Sequence, residues 1–379
     1  MAELLEDVFL RLSPDLVEEV LFRLPPDELA SLFRASAVCK PWRRILADAG
    51  FRRRYREFHR IPPVLALLDE FGHFVPTSAP LPAQPDHHPD WIPMDCRHGR
   101  ALFATRNWAT ETVDLAVLDP VTGHHHPVPT PCKRHGCFSA AVLCAAQGCD
   151  HHGCQGGHFR VAFLSNVGFG EATLGWLVLV DGALYFNGEC IKKYHLGTLH
   201  LSMLEKPIDS NGILMRTEDG GLGFAAVVGL TDLTLWSRDN ELDCWAKLRV
   251  IDLRTLLPDG ALWIPPLQYG SSMSGAWVSG FAEGTQVIFV STSFGSYMVD
   301  LKAGPVRRLS APVRRRVSDP IPSRKFFPYT SFYIPGITYV HIYNPVWHLA
   351  SNHTPVDMIY FPNSCISAAM NAVPIGQGE

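Results

Sequence analysis

The sequence predicts an α+β chain in several parts. A small helical unit over residues 8–60 precedes a mainly antiparallel all-β domain over 61–335, and the pattern leaves the structure of a tail over 336–379 open. Three observations carry this division. Apolar residues between 12 and 58 recur at spacings of three and four, the period of helices buried along one face. From Val64 onward the apolar runs are four to eight residues long and bounded by Gly, Pro, Asp and Asn, as strands and turns are. Those strand and turn signals then recur in similar units.

In the helical unit, Leu16, Val17, Val20, Leu21 and Leu24 form one stripe, with Asp15, Glu18, Glu19 and Arg23 on the other side. Ser13 followed by Pro14 marks the start of this helix, a side-chain cap before a proline whose missing N–H would be unpaired there in any case. Pro25 and Pro26 end it and open the next, with Asp27 and Glu28 near the positive end of the dipole. Leu29, Leu32 and Phe33 make a second stripe; Val38, Trp42, Ile45 and Leu46 make a third, in which Pro41 predicts a kink or restart. Residues 48–60 continue as a basic helix with Phe51, Tyr55 and Phe58 on one face, broken by "RIPP" at 60–63. A unit of roughly 45 residues is near the lower limit for burying its own core. Its surplus leucines and Trp42 therefore face either a partner, the favoured reading, or the rest of the chain.

In their order, Leu12, Pro14, Leu16, Val20, Leu21, Leu24, Pro25, Leu29, Leu32, Val38, Cys39, Trp42 and Leu46 resemble the F-box. That helical module docks substrate receptors on the Skp-type adaptor of cullin-based ubiquitin ligases. The resemblance implies that these thirteen positions contact the adaptor, with the leucines and Trp42 as anchors. One departure stands out, because the family's proline usually follows the first leucine directly and Ser13 intervenes here.

Composition narrows the function classes. The chain has 379 residues, 47% of them hydrophobic and 18% charged, enough for a small module and a large folded domain. A net charge of -4 gives no general attraction to nucleic acid or anionic membrane, so neither is expected as a partner. Charge is uneven, however. Residues 1–39 hold eight acids and three arginines, whereas 40–60 hold eight Lys or Arg against Asp48 and Glu57. A solvated helix face explains that basic block more simply than a polybasic patch does. No run reaches the ~18 apolar residues of a membrane span, and "MAELLEDVFL" carries acids where an export signal carries bases. The expected location is cytoplasmic, nuclear or both, with the ten cysteines reduced.

In the β-domain the repeat is readable. One unit runs from "GRALFAT" at 99–105 into "LAVLDPVTGHHHPVP" from 115, and a second from "GWLVLVDGALYFNG" at 175–188 into "IKKYHLGTLHLSML". A third joins "GILMRTEDGGLGFAAVVG" at 212–229 to "WAKLRVIDLRTLLP", and a fourth covers 276–310. Each places a short turn after an Asp-like position, Asp119, His195, Asp252 or Asp300. Partial units stand at 64–75 and 138–164, with a further one expected at 332–361. Units of about four antiparallel strands, each burying a face against its neighbours, predict an irregular β-propeller of six or seven blades. A β-sandwich is the rival. "LDPVTG", "VIDLRTLLP", "GFAEGTQVIFVST" and "PYTSFY" further resemble the propeller-like associated domain behind the F-box in a large family of cereal-plant proteins, over most of residues 61–333.

Chemistry is sparse. Cys132, Cys137, Cys144, Cys149 and Cys154 lie among seven histidines between His124 and His158. The cysteine pairs are spaced by four residues with no second knuckle, so free thiols and loop histidines are favoured over zinc, and no metal or cofactor is expected. There is no P-loop, no G-x-S-x-G elbow and no H-E-x-x-H, and no catalytic residue is assigned. The basic stretch 306–325 reads as a solvated loop in preference to an import signal. Trp236, Trp245, Trp263, Tyr269 and Trp277 are candidates either for a binding face or for core. The function implied is that of a non-catalytic substrate receptor, joined through the adaptor to a cullin and RING protein and holding an unknown target protein on its β-domain. A ligase-independent scaffold is the alternative, ahead of an enzyme or a zinc protein.

Overall fold

The structure is a computed structural model that describes residues 13–77, 90–107, 112–121, 123–128, 137–145, 158–166, 177–239, 241–262, 275–302, 304, 306–309, 325–332 and 357–361. Among the described residues four helices come first: α1 (Pro14–Phe22), α2 (Leu29–Val38), α3 (Lys40–Ala47) and α4 (Ala49–His59). Ser13 caps α1 as expected, its hydroxyl accepting from Leu16 N at 3.4 Å, and Asp48 caps α4 by accepting from Phe51 N at 2.7 Å. The restart expected at Pro41 is present: Cys39 is extended, and α3 begins at Lys40 with the proline in its first turn. Arg60, in the positive-φ region, closes α4 before the two prolines.

The remaining described chain is almost all strand. Three sheets are four-stranded and consecutive: β9 (Leu177–Val180) to β12 (His200–Leu204), β13 (Gly212–Arg216) to β16 (Cys244–Asp252), and β17 (Ala276–Ala282) to β20 (Val306–Leu309). A fourth runs β3 (Trp91–Arg97), β4 (Arg100–Asn107), β5 (Thr112–Leu118) and β6 (His125–Val128). A fifth joins the two ends of the β-domain, with β1 (Val64–Asp69) between β2 (Phe74–Pro76) and β21 (Phe326–Thr330), all antiparallel. These five sheets have the form of propeller blades.

The sixth sheet differs. The hairpin of β7 (Cys137–Cys144) and β8 (Phe159–Asn166) is flanked by β22 (Asp357–Phe361), which runs parallel to β8. The expectation of six or seven blades is therefore corrected to five. The described residues of 138–164 supply two strands, and a strand from the tail lies beside β8 where a third blade strand would stand. Of the partial unit expected at 332–361, only Phe332 and the strand Asp357–Phe361 are among the described residues, and that strand joins this hairpin.

Apolar cores lie between successive sheets. Ile213, Leu233 and Leu235 pack on Val278, Ile288 and Val290; Val178 and Tyr185 pack on Leu214 and Phe224; Ala141 and Leu143 pack on Leu184 and Phe186. Leu102 and Val117 meet Val142 and Val161. Leu67 meets Phe289 and Phe326, which closes the ring. A strand buried on both faces must be apolar at successive positions, and β1 with "LALL" is.

The turn chemistry follows the Asp-like positions. Asp119 accepts from Val121 N, the His195 ring from Gly197 N and Thr198 N, and Asp300 from Lys302 N. Asp252 does not belong to this set: it ends β16 and caps the short helix α5 (Leu253–Leu256). The equivalent residue in that sheet is Asp239, which accepts from Glu241 N and Leu242 N.

Candidate functional site

The helical unit divides its apolar residues between two cores and an open surface. Leu21, Leu32 and Leu46 are fully buried with Val17, Ala35, Phe51 and Tyr55 in one core. Leu29 points the other way, into the β-domain core of Leu65, Ala66, Leu68, Cys96, Ala101, Phe103 and Leu118. Phe33 packs beside it. Four of the thirteen expected contact residues, Leu21, Leu29, Leu32 and Leu46, thus have no accessible surface. Helical period marks a residue as apolar-facing without saying what covers it.

Leu24, Cys39 and Trp42 are half-buried, and Leu24 and Trp42 pack on the helical core. Pro14 and Pro25 are exposed. On the open surface stand Leu16 at 55%, Val20 at 48% and Val38 at 55% exposure. Leu16 and Val20, four residues apart, share a face of α1, and Val38 ends α2. Leu12 lies outside the described residues. Phe58, expected on one face of α4 with Phe51 and Tyr55, is 60% exposed while those two are buried. It helps line a depression of about 490 Å³ with Phe22, Glu18 and Arg54, on the other flank of α1 from Leu16 and Val20.

Sequence reasoning missed two features. Phe332, just after β21, enters the helical core and meets Tyr55 edge to face at 6.5 Å. A buried ionic network also ties the sheets together. Arg97, at the end of β3, pairs with Asp95 at 2.9 Å and with Glu283, after β17, at 3.3 Å, and donates to the Leu177 carbonyl of β9 at 2.8 Å. Asp95 also accepts from Val142 N of β7 at 2.9 Å. Burial pushes the Asp95 carboxyl up, opposed by Arg97. Nothing in the spacing of residues 95, 97 and 283 signals this cluster.

The other candidates are buried or half-buried or lie outside the described residues, Trp277 of β17 being half-buried. Trp236 is buried against Phe224, and Trp245 is half-buried with its ring N–H donating to the Glu205 carbonyl at 2.9 Å. Trp263, Tyr269, most of the basic stretch 306–325 and most of the Cys/His-rich segment lie outside the described residues. Among the described residues no group of three or more His, Cys, Asp or Glu side chains is placed to hold a metal ion. No described helix is long and apolar enough to cross a membrane.

Solved structures with a distant likeness include a protein from Lactobacillus plantarum, at 10% identity and TM-score 0.34, over 63% of this chain and 74% of that one. TolB from Acinetobacter baumannii, at 11% identity and TM-score 0.34, is covered over 73% of its chain and 78% of this one. A putative 6-phosphogluconolactonase from Bacteroides uniformis, at 14% identity and TM-score 0.27, shares 63% of this chain and 74% of its own. No curated protein sequence matches this chain. One family model matches: residues 9–54, which hold α1, α2, α3 and the first part of α4, match the F-box domain, and the chain carries that domain at its helical end.

Proposed function

We propose that this protein is a substrate-recognition subunit of an SCF-type ubiquitin ligase. Its F-box, within a helical domain over 8–60, binds a Skp-type adaptor, and its β-domain over 61–335 binds a target protein. The observation that carries the reading is the exposure of Leu16, Val20 and Val38 inside the F-box match, with Pro14 and Pro25 also exposed and Leu24, Cys39 and Trp42 half-buried; we take these residues together as one docking strip. Leu12 is part of the same proposal. Exposed leucine and valine at helical spacing on a folded unit suit a helix-lined partner surface.

In this reading the chain does no bond chemistry. It raises the effective concentration of target lysines near the conjugating enzyme, which arrives with the cullin and RING protein. It works in the cytoplasm or nucleus without cofactor, membrane or nucleic acid. The cereal-plant associated-domain type of the β-domain belongs to the proposal and rests on phrases such as "VIDLRTLLP". Affinity capture with the full chain tests the reading. Recovery of both adaptor and cullin supports a ligase subunit, adaptor without cullin supports the scaffold alternative, and loss of both overturns the adaptor-binding reading.

A further inference from the structure

The helical unit and the β-domain exchange side chains. Leu29 of α2 is fully buried among β-domain residues, and Phe332 at 8% exposure fills the core formed by α1, α2, α3 and α4. Phe332 is held there by the strand before it. β21 pairs with β1 from Val64↔Thr330 to Asp69↔Phe326, and Ser331 N donates to the Pro63 carbonyl at 3.2 Å. That pairing is also the one that joins the start and end of the β-domain. The residue completing the F-box core is therefore available in place only when the sheet of β2, β1 and β21 has closed.

We infer that Phe332 is a positioning residue for the adaptor-docking strip, so that adaptor binding and closure of β21 on β1 are thermodynamically coupled. Val17 and Leu21, which pack in the core with Phe332, lie on the same helix as Leu16 and Val20, and Leu32 and Ala35 lie on the helix that ends at Val38. Removing the Phe332 ring leaves a cavity under both helices and lowers the fraction of molecules that present the strip. Apparent affinity falls in proportion to that fraction. Coupling is reciprocal, so bound adaptor protects the β1–β21 ladder.

The inference rests on the adaptor-binding reading, and its test separates the two. Adaptor affinity is measured for the full chain and for Phe332→Leu and Phe332→Ala, and amide exchange of the wild-type chain is followed with and without adaptor. The expected result is wild-type binding, affinity kept within about threefold in Phe332→Leu, a loss of roughly tenfold or more in Phe332→Ala, and slower exchange in 64–69 and 326–330 when adaptor is bound. Wild-type exchange needs no variant to fold. Unchanged exchange in those strands, or equal adaptor affinity of Phe332→Ala and wild type, overturns the coupling while leaving adaptor binding intact. Absence of wild-type binding overturns the reading beneath it.

Discussion

The Arg97 guanidinium reaches Glu283 at 3.3 Å, linking the end of β3 to the turn after β17 while it also holds Asp95 and the Leu177 carbonyl. One side chain thus bridges three sheets of the ring, and a further bond from Val142 N to Asp95 brings in a fourth. Removing Arg97 strands two carboxylates, one of them fully enclosed. Arg97→Ala is expected to cost about 3–5 kcal/mol of stability, read as a lowered unfolding midpoint in urea with the helical signal lost in the same transition.

Backbone clearance gives a second prediction. A Cβ on Gly212 would lie 2.4 Å from the Phe224 ring and 2.6 Å from the Ala225 carbonyl, at the start of β13. Neither neighbour can retreat, since Phe224 is fully buried. Gly212→Ala should destabilise by about 1–3 kcal/mol in thermal unfolding, whereas Gly182→Ala, with open space around it but a φ of +70°, should lose only the cost of its backbone conformation.

Tyr55 gives a pH dependence. Its hydroxyl donates to the Leu24 carbonyl at 2.5 Å, and burial, followed by the Asp27 carboxylate, pushes its pKa well above the usual phenol range. The folded-state value lies above the unfolded one, so the stability contributed by the neutral phenol is complete below about pH 10 and is lost as pH rises beyond it. Tyr55→Phe is expected to lose about 1 kcal/mol near neutrality and to show a shallower decline in denaturant midpoint between pH 10 and 11 than the parent. Equal slopes would contradict this.

Thiol reactivity separates two cysteines. Burial pushes the Cys96 thiol well above its ordinary pKa, within the core that also receives Leu29. Cys244 is exposed at the start of β16. Native alkylation followed by peptide mapping should modify Cys244 within minutes and Cys96 only on unfolding.

Much of this architecture was legible in the residues. Ser13, Pro41 and the two prolines at 62–63 mark helix ends because each changes which backbone N–H groups can bond, and Asp119 and Asp300 mark turns because their side chains accept from the residues that follow. Periodicity stops short of partners. It gave Leu29 and Leu16 the same standing, although one faces the β-domain and the other solvent. Phe332 sits 277 positions from Tyr55, and β22 joins its sheet in parallel; contacts so distant in the chain leave no local pattern. Asp252 matched the turn rule locally but caps a helix, because a carboxylate before free N–H groups looks alike in both settings.

The adaptor affinity of the full chain carrying Leu16→Asp and Val20→Asp tests the central claim most directly. Both side chains are open to solvent, so the unfolding midpoint should stay within about 0.5 kcal/mol of the parent. Affinity for a Skp-type adaptor, measured by calorimetry, should fall by about a hundredfold or more as two buried apolar contacts become charges. An unchanged affinity at unchanged stability would contradict the assignment of this strip as the docking surface.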